Sequence, residues 1–210
     1  MRHRSPSAHS EHSAGLLSIG VLASQGDFEA HAEMLRSLAA APSEVRVPAD
    51  LEGLDGLVIP GGESTTITKA LVRDGLDEAI RAYCEAGGPV LGTCAGMIVL
   101  DRDHLGLIDI SAQRNAFGRQ RQSFEHELRV EGLGDDPLRA VFIRAPWVAE
   151  RGPGVEVLAS YEGHPVVVRE GGRLACAFHP ELTEDSRLHA LFMAIVSAAD
   201  NKREARALRE

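Results

Sequence analysis

The segment G-T-C-A-G, Gly92 to Gly96, places a nucleophile between glycines where an apolar run meets a helical pattern. This is the arrangement of a nucleophile elbow, with cysteine in place of serine. The thiolate is the attacking form of cysteine, and both a helix N-terminus and a neighbouring imidazolium favour it. The flanking glycines let the backbone turn tightly and leave the Cys94 sulfur unobstructed above the strand end. Such a thiolate needs an acid–base partner. Among nine histidines, His179 in F-H-P-E is the best placed, at the end of the apolar run LACAF. Glu181, two residues on, can hold the second ring nitrogen and so fix tautomer and orientation. Cys84 and Cys176 have no comparable setting and read as small buried hydrophobes.

A second turn, P-G-G-E-S at Pro60 to Ser64, closes another apolar run and enters a helix. Its backbone N–H groups can point at an oxyanion or a substrate carboxylate, which makes the Gly62 and Ala95 amides the expected oxyanion hole. Neither G-x-x-x-x-G-K-[ST] nor G-x-G-x-x-G occurs, so the glycines do not mark a nucleotide site. His3, His9 and His12 fall in the N-terminal segment. His31, His104, His126, His164 and His189 read as surface or packing residues, with His31 and His104 near enough to strand ends for a supporting role.

The elements that must position these groups follow from hydrophobic periodicity. LLSIGVLA, Leu16 to Ala23, GLVI at Gly56 to Ile59, PVLG at Pro89 to Gly92 and LACAF are short continuous apolar runs, as expected of parallel strands covered on both faces. Residues 28–41, a segment entered through Ser64, Leu76 to Ala86 and Ser186 to Ala199 have helical spacing, and a short strand is expected near Glu44 to Val47. Between Leu105 and Glu170, HELRV, AVFIRA, VEVLASY and PVVVRE read as antiparallel strands beside the parallel core. The alternation of strand and helix predicts an open α/β sheet.

The chain has 210 residues, 44% of them hydrophobic, enough for one sizeable core. The expected organisation is an N-terminal tail at 1–15, one domain at 16–199 and a charged tail at 200–210. A net charge of -9 spread along the sequence argues against a nucleic-acid binder. Three cysteines without C-x-x-C spacing signal neither a disulfide framework nor a zinc site and fit a reducing cytosol. No run approaches the roughly 20 apolar residues of a membrane span, so a soluble, cytoplasmic protein is expected.

G-T-C-A-G, P-G-G-E-S and F-H-P-E occur in the order found in class I, triad-type glutamine amidotransferases. LASQGDFEAH, PGGESTT, GTCAGMI, RNAFGRQRQSFE, VFIRAP and AFHPELTED resemble, more closely, the glutaminase subunits of pyridoxal 5′-phosphate synthase, from Leu17 to about Val196. The resemblance implies a three-layer α/β fold, flavodoxin-like, with an open, mixed but mostly parallel sheet and helices on both faces. It implies hydrolysis of L-glutamine to L-glutamate and ammonia, with the ammonia channelled to a separate synthase subunit that makes vitamin B6. Cys94 would be the nucleophile, forming a γ-glutamyl thioester, His179 the base and acid, Glu181 its orienting carboxylate, and Gly62 and Ala95 the oxyanion hole. Gly62, Glu63 and Ser64 would line the glutamine, Arg114 its α-carboxylate side, and Ile143 and Arg144 the closing wall. No metal or organic cofactor is implied, and docking to the synthase is expected to organise the peptide near Gly61 and Gly62. The triad alone specifies acyl transfer and leaves the acyl donor open. A cysteine peptidase, another thiol hydrolase, or a binding subunit that keeps only the fold are the readings set against it.

Overall fold

A computed structural model describes residues 16–23, 28–118 and 123–207. The expected N-terminal tail, and residues 24–27 and 119–122 of the stretches LASQGDFEAH and RNAFGRQRQSFE, lie outside the described residues. The elements run β1 (Ser18–Leu22), α1 (Phe28–Ser37), β2 (Ala41–Val45), β3 (Gly56–Ile59), α2 (Ser64–Asp74), α3 (Leu76–Glu85), β4 (Val90–Thr93) and α4 (Ala95–Leu100). There follow β5 (Ile110–Gln113), β6 (Ser123–Leu128), β7 (Leu138–Ile143), β8 (Trp147–Arg151), β9 (Glu156–Tyr161), β10 (His164–Glu170), β11 (Arg173–Cys176) and α5 (Arg187–Ala207).

The main sheet has the order β2-β1-β3-β4-β11-β10-β9. The first five strands are parallel, and β10 and β9 add antiparallel at one edge. Taken in chain order the parallel strands run 2-1-3-4-5, the flavodoxin-like arrangement. Every residue of β3 and β4 is buried, which is why their sequences show no polar alternation. The edge strand β2 exposes Ser43 and Glu44 and carries Pro42, which an edge tolerates.

Helices cover both faces, as neighbouring residues of β4 show. A Cβ on Gly92 would meet Gly96 and Leu100 of α4, whereas the next side chain, Thr93, reaches His31 of α1. Successive side chains of a strand point to opposite faces, so α4 and α1 lie on opposite sides of the sheet. On the α1 side, α5 packs Phe192 and Val196 into the space that Gly56 leaves open. Two ribbons, β5–β8 and β6–β7, stand apart from the main sheet, and β7 delivers Ile143 to the site.

Several boundaries differ from the sequence expectation by a few residues, HELRV and AVFIRA among them, and two differ for a visible local reason. The first helix stops at Ser37, because Ala39 adopts φ 57 and the Ala40 amide turns back to the Leu35 carbonyl. Alanine there gives none of the signal that a glycine cap would. The strand expected at Glu44 to Val47 lies at Ala41–Val45, since the Asp50 carboxylate takes the Arg46 and Val47 amides and bends the chain into a short 3-10 turn. The last helix runs beyond Ala199 to Ala207.

Candidate active site

The carboxyl ends of β3, β4 and β11 converge on a cavity of about 250 Å³, the usual position for a ligand in an open α/β sheet. Cys94 sits between β4 and α4 with φ 49 and ψ -107, a conformation L-residues rarely adopt, and its amide donates to the Cys176 carbonyl of β11 at 2.8 Å. Strain of this kind, roughly 1–3 kcal/mol, persists only where surrounding packing enforces it. The enforcing contacts are visible. A Cβ on Gly96 would lie 2.1 Å from the Ile59 carbonyl oxygen, and one on Gly92 2.7 Å from the Gly96 backbone. The two glycines therefore let α4 press against β3 and fold back over β4, which holds the cysteine at the apex.

His179 follows β11, and its amide donates to the Val141 carbonyl at 2.9 Å, tying the loop to β7. Phe178, just before it, meets Phe142 of β7 edge to face. His179 Nδ1 lies 2.7 Å from Glu181 Oε1 within the tight Pro180–Leu182 turn, and Cys94 is near enough to the ring to raise its pKa. Gly61 closes the third side. A Cβ there would stand 2.6 Å from His179 Cε1 and 3.4 Å from Cys94 Cβ, so only glycine leaves the imidazole room. The Cys94 thiol also points at the Ile143 carbonyl, 3.8 Å away.

Burial by itself would lower the His179 pKa, but hydrogen bonds to Cys94 and Glu181 outweigh it and raise the value to about 10. Burial would likewise raise Glu181, which is held low by the His179 hydrogen bond and then by the imidazoles of His31 and His179. A histidine raised from 6.5 in this way adds stability that is fully present below about pH 6.5 and disappears as the pH climbs towards 10. Glu181→Gln should shrink that alkaline loss, so the difference in urea midpoint between pH 6 and pH 10 should be smaller than in the wild type. An unchanged difference would mean that Glu181 does not hold the imidazolium.

Every site residue expected from the sequence lines this one cavity: Cys94, His179 and Glu181, with Gly62, Glu63, Ser64, Ala95, Arg114, Ile143 and Arg144. Gly62 has φ 141, open only to glycine, and Arg144 is strained at φ 45. The Ser64 hydroxyl is buried and has no hydrogen-bond partner among the described residues. Glu63 caps α2, accepting from the Thr65 and Thr66 amides at 3.1 and 2.7 Å and from the Thr66 hydroxyl at 2.8 Å. The Thr66 hydroxyl, followed by the two amides, lowers its pKa to about 2. Arg114 reaches across to Glu63 at 2.6 Å and to the Thr65 hydroxyl at 2.9 Å, so its guanidinium is already oriented along the cavity mouth. Ile98, Asn115 and Pro146 complete the lining; each falls inside a stretch that carries the family resemblance, but none has a residue type that marks it as functional. His31 proves to lie directly behind Glu181, with its Nε2 3.3 Å from Oε2.

The chain matches the SNO glutamine amidotransferase family over residues 21–198. It is 51% identical over 189 residues to a Streptomyces avermitilis protein named pyridoxal 5′-phosphate synthase subunit PdxT, covering 86% of this chain and 94% of that one. A Geobacillus kaustophilus protein of the same name is 48% identical over 190 residues, covering 87% and 96%. A crystal structure described as a glutamine amidotransferase superposes with a TM-score of 0.81 at 47% identity, over 85% of this chain and 98% of the other. An elbow cysteine faced by a histidine–carboxylate pair is the equipment such an enzyme needs, and with these similarities the conclusion is plain: the chain belongs to the SNO glutamine amidotransferase family.

Proposed function

We propose that this chain is the glutaminase subunit of a pyridoxal 5′-phosphate synthase, with Cys94, His179 and Glu181 as its catalytic triad. The observation that carries the assignment of roles is the convergence of the strained Cys94 and the His179–Glu181 pair on one cavity in a chain of this family. The names of the relatives support the synthase as the acceptor.

Glutamine enters along Gly62, Glu63 and Ser64, with its α-carboxylate towards Arg114 and its carboxamide over Cys94, while Ile143 and Arg144 close the far wall. The Cys94 thiolate attacks the carboxamide carbon, and the developing oxyanion takes the Gly62 and Ala95 amides. His179 gives its proton to the departing nitrogen, releasing ammonia and leaving a γ-glutamyl thioester. The imidazole, now neutral, removes a proton from water as the water attacks the thioester. Collapse of the second tetrahedral species frees glutamate and restores the thiolate–imidazolium pair. Glu181 holds Nδ1–H throughout, so that Nε2 always faces the sulfur. The steps use only side chains and backbone amides of this chain.

The ammonia passes to the synthase subunit, in the cytoplasm, with no role for nucleic acid or membrane; among the described residues no helix is long and apolar enough to cross a membrane. Gly61 and Gly62 form the wall next to His179, and a docked synthase sets the orientation of their peptide. Glutamate release by the full chain should therefore rise at least tenfold when the synthase subunit is added. Equal rates with and without it would remove the docking switch, and no release from the assembled complex would remove the glutaminase reading itself.

A further inference from the structure

Behind the triad carboxylate, on the side away from the cavity, two histidines from different helices meet in the core. His31 of α1 and His189 of α5 are both fully buried, their rings 5.2 Å apart between centroids. His31 Nδ1 lies 2.9 Å from His189 Nε2, and His31 Nε2 faces Glu181 Oε2 at 3.3 Å, with the Thr93 hydroxyl also 3.3 Å away. Glu181 Oε1 is taken by His179, and Oε2 makes no hydrogen bond to any described residue, although His31 Nε2 stands 3.3 Å from it. A carboxylate oxygen buried this deeply is costly to leave without a donor, and the His31 ring is the group that faces it.

The direction of the protons follows from one atom. His189 Nδ1 is buried and has no partner among the described residues. A bare ring nitrogen tolerates that position better than an N–H would, because orphaned buried donors are rarer than under-satisfied acceptors. His189 is also held neutral, its pKa lowered to about 3 chiefly by burial. Its one proton is then on Nε2, donating to His31 Nδ1. With Nδ1 accepting, His31 carries its proton on Nε2, hydrogen-bonded to Thr93 Oγ1 and 3.3 Å from Glu181 Oε2.

We propose that His31, oriented by His189, is a positioning residue that holds the Glu181 carboxylate from behind, extending the triad into a directed chain His189→His31→Glu181, with Glu181 in turn accepting from His179. The inference rests on the roles given above to His179 and Glu181. Without His31 the carboxylate can rotate, His179 loses its fixed tautomer, and the loss falls on the chemical steps and not on glutamine binding.

Two measurements on the full chain test this. In the complex with the synthase subunit, His31→Leu should lower kcat for glutamate release at least tenfold with KM within twofold. His31→Gln, whose amide can place an N–H near the original Nε2 position, should recover most of that loss, which a purely space-filling role does not predict. In the wild-type chain, long-range proton–nitrogen NMR correlations should show His189 neutral between pH 6 and pH 8 with its proton on Nε2. A His189 proton on Nδ1, or a His31→Leu kcat within twofold of the wild type, would overturn the proposal. If His31→Leu does not fold, the wild-type tautomer decides. A wild-type complex that releases no glutamate would instead overturn the glutaminase assignment, and the tautomer would still decide the relay.

Discussion

Cys94→Ser should reduce glutamate release in the assembled complex by on the order of 10³-fold or more, about 4 kcal/mol of lost barrier lowering, while glutamine binding measured by calorimetry changes little. The two side chains have the same shape and tolerate the same φ of 49, so the elbow, the cavity and the His179–Glu181 pair stay in place. What changes is the acid. A serine hydroxyl does not ionise against this imidazole, so the variant has no counterpart of the attacking thiolate. The mutation thus separates binding from chemistry. The converse holds for covalent labelling. An electrophilic glutamine analogue should modify Cys94 alone, because burial pushes the Cys84 thiol up to about 11 and holds Cys176 well above its ordinary value. Modification of Cys84 or Cys176 at a similar rate, or a Cys94→Ser complex that still turns over within tenfold of the wild type, would show that the nucleophile is elsewhere.

The parts of this site that sequence reveals are those written in local chemistry. Gly56–Ile59 can be read to the residue because a fully covered strand has no polar position to blur its ends, and Pro60 with two glycines marks where it stops. Cys94, His179 and Glu181 stand out for the same reason: each is a reactive type at a strand end, and the flavodoxin-like strand order brings those ends to one rim. The β2 boundary is less legible, since it depends on which amides the Asp50 side chain captures, and the end of α1 depends on an alanine forced into a left-handed conformation.

Least legible are contacts between residues far apart in the chain. His31 and His189 are separated by 158 positions, and no periodicity links them. His189 sits in a helix whose neighbours give it the look of a packing residue. Only the closure of α5 over the same face as α1 brings it behind the triad. The Ile143 carbonyl beside the sulfur is equally invisible, because any residue at that backbone position supplies the same oxygen. Arg114 falls between the two cases. Its charge draws notice in the sequence, but its reach to Glu63 and Thr65, across about fifty positions, is a property of the fold.

Gly96→Ala should have the largest effect on the fold of any single methyl group added at the site. In an ordinary helix, replacing glycine by alanine stabilises by roughly 0.5–1 kcal/mol through lost backbone freedom in the unfolded chain. Here the sign reverses. The added Cβ would fall 2.1 Å from the Ile59 carbonyl oxygen and 3.1 Å from its carbon. That carbonyl belongs to β3, a strand buried along its whole length and paired on both sides, so it has nowhere to retreat, and α4 must move instead. Overpacking against immovable backbone costs about 3 kcal/mol or more, which for a chain of this size lowers Tm by on the order of 10 °C. The displacement also carries Cys94 away from His179, and a shift of about 1 Å at a reacting atom costs on the order of 10²-fold in rate, so the protein that still folds should be nearly inactive. Gly87→Ala isolates backbone strain from crowding, since Gly87 has φ 91 with nothing within 4 Å of its added Cβ; it should cost about 1–2 kcal/mol and leave glutamate release intact. If Gly96→Ala melted at or above the wild-type temperature, α4 would have room to spare, and close packing of α4 on β3 could not be what holds Cys94 in its strained conformation.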